Sequence, residues 1–384
     1  MFNPLRFCRQ IMPAMSLEML YRAVPGFAAA CIQGRILNRP ISRGPLFITW
    51  FNTFDCNLRC SFCTTHELKR IYPSTLELDR RLSLADEIAG VGTIIVGFTG
   101  GEPLLDPNLF KVVRRLKSHG LGVYIVTNGL LLSRCASEII DAGVDYVVVS
   151  IDSDIPEEHD AGRGQRGVFE AAIRGVARLR ELRSGPKPMI KTTTVMFKNN
   201  MGRIADILDF LQRSVADVVS VQPVMGGYNK GPHGIDMERD LPDYIGDRQA
   251  AEWAIRLASM RYPIFRQKYY RLIPRFWHDP LSIDVPCWSP FLRLIVYPDG
   301  VAAHCVVSPN MPRLGNLDQT PLMDVWNGGE MQRQREMVRT RKNNCLCWSQ
   351  ADSFNAMLDA MVLPNQLPIL HRRPNVEQAS RDRN

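Results

Sequence analysis

From residue 46 onward the chain alternates between two hydrophobic rhythms. Short apolar runs rich in β-branched residues recur at Leu46–Phe54, Thr93–Thr99, Val123–Thr127, Tyr146–Ser150, Ile190–Phe197 and Val218–Pro223. Between them lie stretches with apolar residues three and four apart, at Leu78–Ala89, Pro107–Ser118, Ser133–Asp141, Val168–Leu182 and Met201–Leu211. The first rhythm predicts strands buried on both faces, the second amphipathic helices. Strands and helices in alternation call for βαβ units and one parallel sheet. Six strands are too few to close an eight-stranded barrel. The expected fold is therefore α/β, a partial, open (βα)6 TIM-like barrel over residues 46–226.

In such sheets ligands bind beyond the carboxyl ends of the strands, and the unusual residues of this chain gather there. The first strand runs into Cys56-Asn57-Leu58-Arg59-Cys60-Ser61-Phe62-Cys63, a C-x3-C-x2-C pattern. The second ends in Gly100-Gly101-Glu102-Pro103, the third in Thr127-Asn128-Gly129, the fourth in Ser150-Ile151-Asp152. Each piece alone reads as a turn or a helix cap. Four of them at one mouth form a constellation. Iron–sulfur clusters are normally held by four cysteines. A triplet with no fourth cysteine nearby suits a cubane cluster with one iron open to a non-protein ligand. A structural zinc knuckle, with His66 as fourth ligand, is the other reading.

With these motifs in place, the chain resembles the radical S-adenosylmethionine (SAM) enzymes over about residues 46–226. The resemblance implies that Cys56, Cys60 and Cys63 hold a [4Fe–4S] cluster whose fourth iron is chelated by SAM. It implies that Phe62 lies against the adenine. The Gly100–Pro103 segment takes the methionyl ammonium through its backbone and the Glu102 carboxylate, with Asn128 at the neighbouring strand end in the same cofactor-binding set. Ser150 and Asp152 match the positions that bond the ribose. Arg163 resembles the arginine that faces the SAM carboxylate, and Arg166 is a neighbouring candidate. Glycines allow close backbone approach where a Cβ would clash. A carboxylate suits an ammonium, and an arginine fork suits a carboxylate. The implied chemistry is reductive cleavage of SAM to methionine and a 5′-deoxyadenosyl radical that removes a hydrogen atom from an unactivated carbon.

A second cysteine group lies downstream, at Cys287, Cys305, Cys345 and Cys347. Tyr297-Pro298-Asp299-Gly300 is a turn signal between two β-like runs, which predicts a hairpin. With Gly300 ahead of Cys305, this part resembles the SPASM and shorter "twitch" modules of radical SAM enzymes. The resemblance implies an auxiliary-cluster domain over residues 284–350, built on the hairpin and holding a second [4Fe–4S] cluster. The terminal pair departs from the usual C-x2-C, being C-x-C at Cys345-Leu346-Cys347. His304 could substitute as a ligand. A four-thiolate structural zinc site is the alternative. Cys8, Cys31 and Cys135 read as small apolar residues, with Cys135 packing inside a helix.

Composition adds bounds. At 384 residues the chain has room for two domains. No run reaches the roughly 20 apolar residues of a membrane span, and no signal peptide stands out. Reduced thiols and oxygen-sensitive clusters agree with a cytoplasmic location. The net charge is +8, and residues 1–45 carry Arg6, Arg9, Arg22, Arg35, Arg39 and Arg43 against Glu18. Apolar residues are interleaved among them. This basic N-terminal extension reads either as helix packed on the barrel or as a peripheral contact with an anionic membrane. No aromatic-interleaved basic patch speaks for nucleic acid. Residues 227–283 read as a helical connector, and 351–384 as a helix and loose tail.

The expected function is oxidation of a small molecule, with the auxiliary cluster taking an electron and a flavodoxin or ferredoxin as donor. The alternatives are a lipid- or isoprenoid-modifying enzyme, a peptide-maturing enzyme, and a non-catalytic zinc scaffold.

Overall fold

The computed structural model describes residues 17–196, 200–223, 287–305 and 313–340. The connector at 227–283, the cysteines Cys345 and Cys347, and the tail at 351–384 lie outside these residues, as do the first sixteen. Six strands form within two residues of the bounds expected from sequence: β1 (Phe47–Thr53), β2 (Ile95–Gly100), β3 (Gly122–Thr127), β4 (Tyr146–Ser150), β5 (Met189–Met196) and β6 (Val218–Pro223). Helix α1 (Leu17–Ala29) precedes them and runs on as a π-helical segment, Ala30–Ile36. Between the strands lie α2 (Thr65–Ile71), α3 (Leu78–Gly90), α4 (Leu109–Ser118), α5 (Leu132–Asp141), α6 (Pro156–Arg163), α7 (Val168–Leu182) and α8 (Ile204–Ser214).

The strands pair in parallel in the order β6-β5-β4-β3-β2-β1, and the sheet does not end at β1. Strand β7 (Arg293–Val296) adds to β1 in parallel, from Phe47↔Arg293 to Trp50↔Val296. Strands β8 (Val301–Ala303) and β9 (Gly315–Asn316) follow antiparallel. The sheet is open, as expected of a partial barrel. The hairpin foreseen around Gly300 forms, and Gly300 takes a φ of 85° in its turn. It does not make a sheet of its own but extends that of the barrel. The reason lies in β1. Ile48 and Trp50 on one face, and Thr49 on the other, are buried, and a strand that apolar makes a poor sheet edge. Leu294, Ile295 and Val296 cover it and are themselves buried.

Helices pack on the convex face. Their inward residues, such as Leu109, Val112, Val113 and Leu116 of α4 and Leu132, Ala136 and Ile139 of α5, are fully buried against Val96, Phe98, Val123, Ile125 and Val149 of the strands. Cys135 sits in this core, as its helical spacing predicts. The concave face is more open. Along β5 burial alternates residue by residue, with Lys191, Thr193 and Val195 half-buried and Ile190, Thr192 and Thr194 buried. Deeper in, Thr49, Gly97, Tyr124 and Tyr146 stand in one register row. The two tyrosine rings stack with centroids 4.7 Å apart. Tyr124 lies directly over Gly97, where a Cβ would come within 1.9 Å of its ring. Arg293 reaches into the same row and donates from Nη2 to Thr49 Oγ1 at 2.8 Å.

After β7 and β8, the chain bolts back onto the barrel. Helices α9 (Ser289–Leu292), α10 (Leu322–Trp326) and α11 (Gly329–Arg339) belong to this part. Asn327 bonds both the N–H and the C=O of Ile41, at 2.9 and 3.0 Å. Trp326 Nε1 donates to the Arg43 carbonyl at 2.9 Å, and the Leu322 N–H to Glu87 of α3 at 3.0 Å. Among the described residues, no helix is long and apolar enough to cross a membrane.

Candidate active site

The cysteine loop is laced to its neighbours by backbone bonds. The Gly101 N–H donates to the Thr53 carbonyl at 2.8 Å and the Glu102 N–H to Asp55 at 2.7 Å. Gly100 has a φ of 136°, and a Cβ there would meet Thr53 O at 2.1 Å. At Gly101 a Cβ would meet Asp55 O at 2.0 Å. The close approach these glycines permit is thus to the end of β1 itself. From the other side, the Ser61 N–H bonds the Gly162 carbonyl at 3.1 Å. Gly164, left-handed at φ 73°, leaves room for Arg59 O, which a Cβ would meet at 2.5 Å. From below, Phe51, Phe54, Tyr72 and Tyr297 form a small aromatic cluster, with Tyr72 and Tyr297 stacked at 4.8 Å. The loop is therefore pinned by β2, by the end of α6 and by the hairpin turn.

Several expected residues come together here. Asn128 Nδ2 donates to Asn57 Oδ1 at 2.8 Å, next to Cys56. Arg163, almost fully buried, lies with Nη1 3.9 Å from Cys60 Sγ and its guanidinium 5.4 Å from the Phe62 ring centroid. Its Nη2 is 2.6 Å from Asp152 Oδ2, an ion pair whose angle does not make a hydrogen bond. Asp152 Oδ1 accepts the Val195 N–H at 2.9 Å. The Asp152 N–H donates to His159 Nδ1 at 3.1 Å. Burial pushes the His159 imidazole down to about 4, so it is the neutral ring that accepts this bond. Ser150 is half-buried, in register with Thr193, which bonds Ser220 at 2.9 Å. Arg166 is exposed, which separates it from Arg163.

Glu102 is fully buried. Its Oε1 accepts from the Leu104 N–H at 3.1 Å and Thr127 Oγ1 at 2.8 Å, and its Oε2 from the Asn128 N–H at 2.7 Å. It thereby ties the ends of β2 and β3 together, and one lone-pair direction on Oε2 stays unused. Burial pushes its carboxyl up to about 7, against these three hydrogen bonds. Burial likewise raises the Cys56 and Cys60 thiols, Cys60 to about 11, with the Arg163 charge pulling Cys60 back.

These residues fit a cluster with an organic ligand. A thiol must lose its proton to bind iron, and Arg163 places a buried cation beside Cys60, whose thiol burial raises. Arg163 Nε is buried with no hydrogen-bond partner, a donor suited to a carboxylate. His66 donates from Nε2 to the Leu58 carbonyl at 2.8 Å. Among the described residues no three His, Cys, Asp or Glu side chains converge as the ligands of a single ion would. In the second group, Cys287 is half-buried and Cys305 buried. The His304 ring lies 3.2 Å from Gln334 Oε1 through Nε2, and its Nδ1 is buried without a partner.

Sequence reasoning missed the supports. The short helix α6, which delivers Arg163, had its signals in Pro156 at the first turn and Gly164 just past the end. Asp106 had none: it takes a buried ion pair from Arg81 and a 3.0 Å bond from Asn52 of β1. Arg293, which bonds Thr49, was not singled out from sequence.

A partial barrel with three cysteines in one loop at its mouth points to a class of iron–sulfur enzyme, and the comparisons place it. The radical SAM superfamily profile matches residues 53–211, and an iron–sulfur cluster-binding domain profile, SPASM, matches 287–349. The AdoMet-dependent heme synthase of Methanosarcina barkeri is 34% identical over 315 residues, covering 79% of this chain and 88% of that protein. The Fe-coproporphyrin III synthase of the same organism is 32% identical over 166 residues, 43% of this chain and 40% of that protein. Among solved structures, Streptococcus suis SuiB superposes with a TM-score of 0.60 at 16% identity, over 84% of this chain and 73% of that one. The chain belongs to the radical SAM superfamily and carries a SPASM domain. Its cofactors are accordingly SAM, the [4Fe–4S] cluster of the barrel and auxiliary iron–sulfur ligation in the SPASM domain.

Proposed function

We propose that this enzyme oxidises a tetrapyrrole of the heme-precursor kind, a flat macrocycle bearing carboxylate side chains. The observation that carries the reading is the 34% identity to a heme synthase across both modules, over 88% of that protein's length.

When bound, the cluster and SAM supply a 5′-deoxyadenosyl radical, which abstracts a hydrogen atom. The chain's residues do the rest. Cys56, Cys60 and Cys63 bind the cluster. Arg163 compensates the Cys60 thiolate and offers Nε to the SAM carboxylate. The free Oε2 direction of Glu102 accepts from the methionyl ammonium, Phe62 lies on the adenine, and Ser150 and Asp152 serve the ribose. Removing one hydrogen atom leaves a substrate radical, and one more electron and a proton must leave to complete a two-electron oxidation. Cys287, Cys305, Cys345 and Cys347 would hold an auxiliary cluster, which would supply an acceptor for that electron, and a flavodoxin or ferredoxin would supply the electron for SAM cleavage.

The test is anaerobic incubation of reconstituted protein with SAM, reductant and iron-coproporphyrin III, read by mass spectrometry. The expected outcome is an oxidised macrocycle formed in step with 5′-deoxyadenosine. Replacing Cys56, Cys60 and Cys63 by Ala should remove roughly half the iron and all 5′-deoxyadenosine. If 5′-deoxyadenosine forms at the same rate with and without the macrocycle and the macrocycle is unchanged, the substrate reading fails.

A further inference from the structure

The helix ahead of the barrel is apolar on both sides. Its inner side is seated on the core: a Cβ at Gly26 would meet Leu46 at 2.5 Å, and one at Gly34 would meet Ile41 and Phe291 at 2.8 and 2.9 Å. Arg35 anchors its end, donating to the Cys287 carbonyl at 2.8 Å. The outer side carries Tyr21, Val24, Ile32 and Ile36, which are 82, 60, 53 and 71% exposed. With Leu37 they make five of the seven large apolar side chains exposed among the described residues. Single exposed apolar residues need no explanation, but a contiguous line of them does.

The line is kept straight by the backbone. From Val24 it advances four residues at a time, through Ala28 and Ile32 to Ile36. A step of four overshoots an α-helical turn and undershoots the wider π turn. The helix changes from α to π at Ala30, and the Leu37 N–H bonds the Ile32 carbonyl at 2.9 Å in the π pattern. The two drifts oppose each other, so the four side chains stay on one line. Long π segments are rare, and π turns concentrate at functional places.

Charge selects the occupant. From Met19 to Pro45 the chain carries Arg22, Arg35, Arg39 and Arg43 and neither Asp nor Glu. Arg39 and Arg43 are exposed where the line ends, and Arg6 and Arg9 precede it in sequence. A second copy on this face would set arginine against arginine across a two-fold contact. Anionic phospholipid matches both features, with apolar side chains entering the headgroup boundary and arginines meeting phosphates. We propose that residues 19–43 dock the protein on an anionic bilayer surface with the helix lying in its plane. This holds whichever substrate the barrel takes.

Co-sedimentation of the full chain with phosphatidylcholine vesicles and with vesicles containing phosphatidylglycerol tests it. The wild type should sediment with the anionic vesicles, much less with the neutral ones, and release at high salt. An Ile32→Asp/Ile36→Asp variant should bind at least about tenfold more weakly, with iron content and SAM cleavage unchanged. Wild type that stays in solution beside anionic vesicles overturns the proposal, and so does a variant that sediments equally. A wild-type dimer that the variant converts to monomer, without vesicle binding, assigns the line to a second copy and also overturns it.

Discussion

At the scale of single residues the site is governed by burial of charge. Glu102 has three hydrogen-bond donors and no exposure, and burial still wins, raising its carboxyl from 4.5 to about 7. The folded carboxyl therefore holds its proton more tightly than the unfolded one. Its contribution to the stability of the cofactor-free protein is complete below about 4.5 and fades as pH rises through about 7. The swing is about 3 kcal/mol. Melting temperatures of cofactor-free wild type should fall over that pH range, while Glu102→Gln, which cannot ionise, should show a flatter profile. Saturating SAM should restore the alkaline limb in the wild type alone, because its ammonium favours the ionised carboxylate. Parallel profiles for the two proteins would refute this account of Glu102.

At the scale of elements, the glycines between β2 and α4 decide where the cysteines stand. An alanine at Gly101 would have to push the Asp55 carbonyl, 2.0 Å from its Cβ, and with it the start of the cysteine loop. Gly101→Ala should reconstitute with about half the iron, the auxiliary share remaining. Gly90→Ala is the control. Nothing lies within 4 Å of a Cβ there, and the change should raise stability by up to about 1 kcal/mol because alanine is the better helix former. Full iron loading in Gly101→Ala would show that the loop tolerates the shift. This is also where sequence was most and least informative. The six strands were legible because most are short apolar or β-branched runs set between helical patterns, although β5 is buried only at alternate residues. The cysteine, Gly-Gly-Glu-Pro and Ser-x-Asp motifs were legible because unusual residues fell at strand ends. The roles within them were less so: that Gly100 and Gly101 make room for carbonyls of β1 depends on a neighbour about fifty positions away along the chain. The pairing of Arg163 with Asp152 and Cys60 likewise arises only once α6 folds back. The hairpin around Gly300 was readable from its turn, but its partner β1 was not, since nothing in a four-residue strand names the edge it will join.

At the scale of the whole molecule, that pairing makes the barrel dependent on the SPASM part. Strand β1 carries the cysteine loop at its end and lies between β2 and β7. Remove everything beyond residue 226 and Phe47 to Trp50 lose their β7 partners, while Phe291, Leu292, Leu294 and Trp326, all buried, leave the core. Ile41 and Arg43 lose the bonds from Asn327 and Trp326 that fix the approach to β1. What remains is a flat apolar edge, the kind that pairs with another chain. A chain ending at residue 226 should aggregate or elute as large oligomers, whereas one ending at residue 349 should elute as a compact species and melt cooperatively. Size-exclusion chromatography with circular dichroism reads both. A shorter chain that is compact and melts cooperatively would show that β1 needs no cover and that the hairpin is an appendage. If it aggregates as argued, the cysteine loop is held in place from both ends of the sequence. Loss of the auxiliary module would then abolish SAM cleavage through the barrel's fold before any question of electron transfer arises.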